Sequence, residues 1–243
     1  MMNFRSDLAF ERRNIYRKAN NISDEVEGLE TQEENIEENI KIYRVKVLNE
    51  NGEKAIGKKK GKYITIDIKN LDIAGEKDIK KASEIVSKEL KTLVSNLIKP
   101  KEDILVVGLG NLYVTPDALG PKVIQKIDIT RHILTYLPEV LDENTRPISA
   151  ISPGVLGTTG IETLEILKGV IDNIKPKLLI VIDALSSRSI DRISSTVQLS
   201  DTGIVPGAGV GNTRKELSIE TLGIPVIAIR SSNSCRSSNN SSR

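Results

Sequence analysis

Hydrophobic and polar positions along this chain fall into two regimes. In the first, Ile42, Arg44, Lys46 and Leu48 alternate with Tyr43, Val45 and Val47, the period-two signature of a strand. Asn51-Gly52 follows and predicts a hairpin turn, because both residues tolerate positive φ. A second strand is predicted over Tyr63 to Ile68, after the basic turn Lys58-Lys59-Lys60-Gly61. Residues 41–70 therefore read as a small β-hairpin subdomain. The stretch before it, 8–40, is polar and carries an acidic patch from Glu25 to Glu38; it is expected to be a solvated or partly helical lead-in.

The second regime, residues 71–229, opens with a predicted helix over Asp78 to Ile98. Ile79, Ala82, Val86, Leu90, Leu93 and Leu97 recur at spacings of three and four, which places them on one face. Asp78 lies in its first turn and Pro100 closes it. Continuous apolar runs then appear at Ile104 to Leu109, Ile148 to Ile151, Leu178 to Ile182 and Pro225 to Ile229. Such runs suit strands buried on both faces of a largely parallel sheet. Helices are predicted between them, around Pro121 to Leu134 and Ile161 to Ile174. The expected fold is α/β: a three-layer α/β/α domain with a largely parallel sheet, preceded by the β-hairpin subdomain. From Ser231 onward the chain is Ser, Asn and Arg with one Cys, and it is expected to be disordered.

Composition narrows the function. Hydrophobic residues make up 38% of the 243 positions, with no Trp and two Phe, so the core must be built from Ile, Leu and Val. Lys and Arg (35) nearly balance Asp and Glu (33), which argues against a nucleic-acid partner. The single Cys235 sits in the polar tail, leaving neither a disulfide nor a cysteine-rich metal site. The N-terminus has no apolar segment of a secretory signal, and the longest apolar run, Leu178 to Ile182, is too short for a bilayer. A soluble, cytosolic protein with no membrane contact is expected.

Functional groups in an open α/β sheet gather beyond the carboxyl ends of the strands. Three segments fall there: Gly108-Leu109-Gly110-Asn111 running on to Pro121, Ser152-Pro153-Gly154-Val155, and Ile182-Asp183-Ala184. Two of them deliver an aspartate. Neighbouring carboxylates cannot both ionise easily, so one holds a proton; that supplies a base to activate water and an acid for the leaving group. Asp117 could instead cap a helix, whereas a charge ending a buried strand at Asp183 demands a reason. Gly108-Leu109-Gly110 lacks the third glycine of a dinucleotide loop, Tyr113 standing in its place. Gly207 to Asn212, with Gly209, Gly211 and Asn212, is no phosphate loop but could line a binding cleft. Asp201-Thr202-Gly203 copies a tripeptide of all-β aspartic proteases on the wrong scaffold. Ser152, Ser186 and Ser189 lack a base, since His132 is the only histidine and lies in a stretch predicted to be helical, which disfavours a serine triad. A metal held by two carboxylates alone makes a weak case.

The runs VGLGN-x-x-VTPDALGPKV, TRHI, AISPGVLGTTGIETLEILKGVID, IKPKLLIVIDAL-x-SRS, DTGI-x-PG-x-GVGN-x-R and ETLGIPVIAI resemble the spore germination protease family, from about Asp7 to Ile229. The resemblance implies an aspartate-type endopeptidase on a fold related to hydrogenase maturation proteases. It implies cleavage of small acid-soluble spore proteins in the spore core, and a homotetrameric zymogen that trims its own N-terminus. Carried over by motif, the functional aspartates are Asp117 of TPDALGP and Asp183 of IDAL, with Gly110, Asn111, Ser152, Gly154, Gly209, Gly211 and Asn212 in the loops around them. Self-cleavage would fall between Asp7 and Leu8, making 1–7 a short propeptide. No cofactor is implied by the protease chemistry, although the hydrogenase-processing relatives leave a divalent metal, and a metal-dependent peptidase, as the alternative.

After Ile229 the family continues with something like GVPTVVDAATI. Codons for Arg230 to Asn240 can be chosen so that dropping the first base yields GVPTVVDQAT. A one-base frameshift near codon 230 is thus expected, making 230–243 an aberrant tail. Loss of a helix covering the core would expose apolar side chains worth ~1.5–3 kcal/mol each, against a net stability of ~5–15 kcal/mol. An inactive truncated protease is the corresponding alternative reading.

Overall fold

The structure is a computed structural model that describes residues 8–69, 74–185, 196–206 and 214–232. Eight strands form one sheet in the order β1-β2-β3-β7-β8-β6-β4-β5. They are β1 (Leu29–Glu37), β2 (Ile40–Val47), β3 (Gly61–Ile68), β4 (Ile104–Gly108), β5 (Ile148–Ile151), β6 (Leu178–Leu185), β7 (Thr196–Ser200) and β8 (Val226–Ser232). Strands β5, β4, β6 and β8 run parallel, while β7, β3, β2 and β1 join antiparallel. The expected α/β class holds, with the parallel part at one side of a mixed sheet. The strands expected as a hairpin share this sheet, because β3 pairs with β7.

Burial alternates residue by residue along the parallel strands. Ile104, Val106, Ile180, Ile182 and Ile227 enter one cluster with Ala82, Ile85 and Leu93 of α3 (Glu76–Leu97). Leu105, Val107, Leu179, Val181 and Val226 enter the opposite one, under α7 (Thr163–Ile174) and α8 (Ile219–Leu222). Strands covered on both faces are why these runs are continuously apolar. Ile79, expected on the buried stripe of α3, is 48% exposed, one turn before the first side chain that reaches the core. No helix among the described residues is long and apolar enough to cross a membrane.

The antiparallel half departs most from expectation. The polar lead-in forms helix α1 (Ala9–Ala19) and edge strand β1. Leu8, Ala9 and Phe10 are buried with Val45, Tyr63 and Leu185 in a third cluster, and the Phe10 ring stacks on Tyr43 at 4.2 Å. Asn51-Gly52 makes no hairpin turn. Asn49 caps helix α2 (Glu50–Ile56), its Oδ1 accepting from the N–H groups of Asn51 and Gly52, and Gly57 ends the helix at φ 62°. The side-chain cap satisfies first-turn donors and outcompetes the turn.

The segment read as one helix over Pro121 to Leu134 is two, α4 (Leu119–Ile124) and α5 (Arg131–Tyr136). A short helix α6 (Leu156–Thr159) precedes α7. Strand β8 runs on through Arg230, Ser231 and Ser232, so the polar tail begins inside the sheet; residues 233–243 lie outside the described residues.

Candidate active site

Strand β4 ends against the start of α4, and two glycines let the backbones meet there. A Cβ on Gly108 would lie 2.3 Å from the Gly120 carbonyl oxygen, and one on Gly120 would lie 2.3 Å from that of Leu109. The chain then turns: the Leu109 N–H donates to the Ile182 carbonyl of β6 at 2.8 Å. Gly110 takes φ 114° and Asn111 folds the loop back. Asn111 Oδ1 accepts from the Tyr113 N–H at 3.0 Å, and a 3-10 turn, Thr115–Asp117, follows with Pro116 inside it.

This loop returns Asp117 to the end of β4. The Asn111 N–H donates to Asp117 Oδ2 at 2.9 Å and to its carbonyl oxygen at 3.0 Å. The capping alternative is thereby answered: Ala118 stands at the N-cap of α4, without a side-chain cap, and the Asp117 carboxylate points back into the loop. Burial pushes the Asp117 carboxyl pKa up, opposed by the Asn111 N–H and by the charge of Arg214.

Asp183 lies within β6, not after it. Pairing with β4 stops at Gly108↔Ile182, while pairing with β8 continues through Asp183↔Arg230 to Leu185↔Ser232. Asp183 therefore occupies the first position at which β6 loses its β4 neighbour, and the 3-10 turn bearing Asp117 lies against β6. The residue is 7% exposed, and its Oδ2 lies 3.8 Å from Arg230 Nε. Sequence reasoning missed Arg230, since a polar Ser/Asn/Arg run gives no strand signal.

The other expected site residues divide. Gly110 and Asn111 build the loop that holds Asp117. Ser152 donates through Oγ to the Gly108 carbonyl at 3.1 Å, tying the exit of β5 to the end of β4. Gly154 turns that exit at φ 78°. Gly209, Gly211 and Asn212 lie outside the described residues, as does Asp7. Leu8 is buried in the cluster that also holds Leu185, two positions beyond Asp183. Asp201 Oδ1 accepts from the Lys62 N–H at 2.7 Å, a bond between strand ends. His132 is exposed on α5.

Among the described residues, no group of three or more His, Cys, Asp or Glu side chains could hold a metal ion.

Comparison with known proteins gives the family of the chain. The model of the peptidase family described as germination protease matches residues 6–236. A germination protease of Caldanaerobacter subterraneus subsp. tengcongensis is 52% identical over 94% of this chain and 68% of its own length. One from Clostridium perfringens is 47% identical over 94% and 69%, and one from Priestia megaterium 48% over 93% and 61%. A solved [NiFe] hydrogenase maturation protease, HycI from Thermococcus kodakarensis KOD1, aligns over 58% of this chain and 80% of its own at TM-score 0.33 and 18% identity. With the family model spanning nearly the whole chain, including the loop of Asp117 and strand β6 of Asp183, the chain belongs to the germination protease family.

Proposed function

We propose that this chain is the endopeptidase that opens the degradation of small acid-soluble spore proteins, with Asp117 and Asp183 activating water. The reading is carried by one observation: Asp183 stands where β6 runs on past the end of its parallel neighbour β4, and the loop that leaves β4 brings the turn bearing Asp117 against β6, with Asp117 not the cap of α4. The ionised carboxylate takes a proton from water as the oxygen adds to the scissile carbonyl carbon. The protonated one gives its proton to the amide nitrogen as the C–N bond breaks. Paired groups of this kind contribute roughly 10²–10⁴-fold each to rate.

The proposed chemistry needs no divalent metal, and among the described residues the two carboxylates belong to no group of three or more His, Cys, Asp or Glu side chains that could hold one. Self-processing between Asp7 and Leu8 is part of the proposal. It is supported by the burial of Leu8 in one cluster with Leu185, close along β6 to Asp183. A homotetramer acting in the spore core is also proposed, and the exposed Tyr136, Leu137 and Val140 offer contact surface for it.

The test is cleavage of a purified small acid-soluble spore protein by the full chain, Asp117→Asn and Asp183→Asn. Each variant is expected to lose about 10²-fold or more while keeping its unfolding midpoint within reach of wild type. Dialysis against chelator is expected to leave the wild-type rate unchanged. Wild-type cleavage by either variant overturns the two-aspartate mechanism. No cleavage by the wild-type chain overturns its assignment as an active endopeptidase. N-terminal sequencing that still reads Met1 or Met2 after incubation overturns self-processing.

A further inference from the structure

The loop that carries Asp117 also carries the longest unbroken run of exposed large apolar side chains among the described residues. Leu112, Tyr113 and Val114 are consecutive and exposed, Tyr113 at 92%. Single exposed apolar side chains are ordinary, whereas a contiguous group marks a contact surface. The backbone of the run is pinned. The Val114 N–H donates to the Asn111 carbonyl at 3.1 Å and the Asp117 N–H to the Val114 carbonyl at 2.8 Å, while the Tyr113 N–H donates to Asn111 Oδ1 at 3.0 Å. The same Asn111 donates its N–H to the Asp117 carboxylate. One set of hydrogen bonds therefore fixes both a site carboxylate and an apolar knuckle. Tyr113 is no more than ~7 Å of chain from Asn111, a span that an extended peptide covers in about two residues. The loop leaving the adjacent strand β5 repeats the pattern. Leu156 on α6 and Ile161 after it are exposed, and Ser152 of that exit is bonded to Gly108 at the end of β4. Exposed apolar surface is thus gathered on two neighbouring loops beyond the carboxyl ends of β4 and β5.

We propose that Tyr113, flanked by Leu112 and Val114, is a specificity-determining residue that seats an apolar side chain of the substrate polypeptide within about three residues of the scissile bond. This rests on the two-aspartate reading above and names the part of the substrate that the Asp117 loop recognises. The occupant is a substrate chain, because the knuckle and Asp117 share their hydrogen bonds: a peptide whose carbonyl reaches that carboxylate runs past Tyr113. A second copy of this chain docked there would instead cover the carboxylate. A phenol ring offers a flat apolar face to Ile, Leu, Val or Phe alike, so the contact selects apolar character. It is made equally to bound substrate and to transition state, and so acts on KM and not on kcat.

The experiment uses the full chain and a purified small acid-soluble spore protein, and compares wild type, Y113S, Y113F and I79S, the last an exposed apolar residue on α3. Y113S is expected to raise KM about tenfold with kcat nearly unchanged, and Y113F and I79S to match wild type. The Tyr113 bond to Asn111 comes from the main chain, so Y113S keeps the loop around Asp117. Serine in place of the apolar residues flanking the mapped cleavage point of the spore protein is expected to raise KM for wild type and to add little for Y113S. Binding without turnover is read from the anisotropy of labelled spore protein with D183N and D183N/Y113S, and the same loss of about tenfold is expected. Unchanged KM and Kd on Tyr113→Ser, an equal loss in I79S, or fully additive losses from enzyme and substrate changes overturn this proposal alone. So does a lower sedimentation mass for Y113S with KM unchanged, which makes a second copy the occupant. A wild type that binds the spore protein but cleaves nothing, or D183N with wild-type activity, overturns the two-aspartate reading, and the Kd or KM comparison still decides this one. A wild type that neither binds nor cleaves overturns both.

Discussion

Two carboxyls illustrate how burial alone sets a residue's character here. Asp117 and Asp67 are both pushed above the usual aspartate range, with burial as the largest cause. Asp67 sits outside the site, in register with Lys41 and Thr196, and gives the cleaner test. A carboxyl raised in the folded state contributes stability below its unfolded pKa and loses it as pH rises through the folded pKa. Asp67→Asn removes the buried charge, so it is expected to raise the urea midpoint at pH 7. That gain fades on acidification and is gone below about pH 3.9, where the unfolded carboxyl is protonated too. An equal gain at pH 7 and pH 3 would count against burial as the cause. At Gly110 the constraint is steric. A Cβ there would stand 2.0 Å from the Asp117 carbonyl oxygen and 2.9 Å from its Oδ1, at φ 114°. Gly110→Ala is expected to displace Asp117, cutting cleavage by about 10²-fold and costing about 1–3 kcal/mol in the urea midpoint. Gly157→Ala, whose Cβ meets nothing within 4 Å, is the control expected to change neither.

Helix α2 is the element that local pattern reading mistook, and its cap is testable. Asn49→Ala removes the acceptor for two first-turn N–H groups, and is expected to cost about 1 kcal/mol by equilibrium unfolding; no change would mean that water replaces the cap without loss. The same contrast explains what was legible elsewhere. Runs such as Leu178 to Ile182 announce themselves because both faces are covered, and the apolar stripe of α3 because one face is. Strand β1 does not, since its sequence LETQEENIE is acidic; it is held by the backbone ladder to β2, with charges matched by the basic strand beside it. Glu30 pairs with Lys46 at 3.1 Å and Glu34 with Arg44 at 2.7 Å, a cross-strand complementarity that no single segment contains. The positions of Asp117 and Asp183 beyond the apolar runs of β4 and β6 were readable because such runs are encoded locally. Arg230 was not, because β8 is extended past Ile229 by pairing with β6 and β7, a tertiary cause acting on a polar run.

At the scale of the molecule, β8 joins the antiparallel half of the sheet to the parallel half, and beside it β6 reaches two of the cores. Its Val181 belongs to the core under α7, its Leu185 to the core under α1, and Asp183 lies between them. Antiparallel pairing of β3 with β7 and β7 with β8 carries the sheet across the same boundary. Such an arrangement has no hinge along which the N-terminal strands can detach from the peptidase half. Unfolding is therefore expected as one transition, with tyrosine fluorescence and far-UV circular dichroism coinciding. Phe10→Ala deletes the ring stacked on Tyr43 and is expected to shift that single midpoint by about 3–5 kcal/mol. Leu167→Ala, in the other core and fully buried, is expected to shift the same transition by about 2–5 kcal/mol. A separate early transition in Phe10→Ala, leaving the remainder at its wild-type midpoint, would restore an independent hairpin subdomain. Because Leu185 shares the core of Phe10, the cooperative outcome also ties Asp183 to that core. Phe10→Ala is then expected to lose cleavage at temperatures below its unfolding transition, through a loosened end of β6.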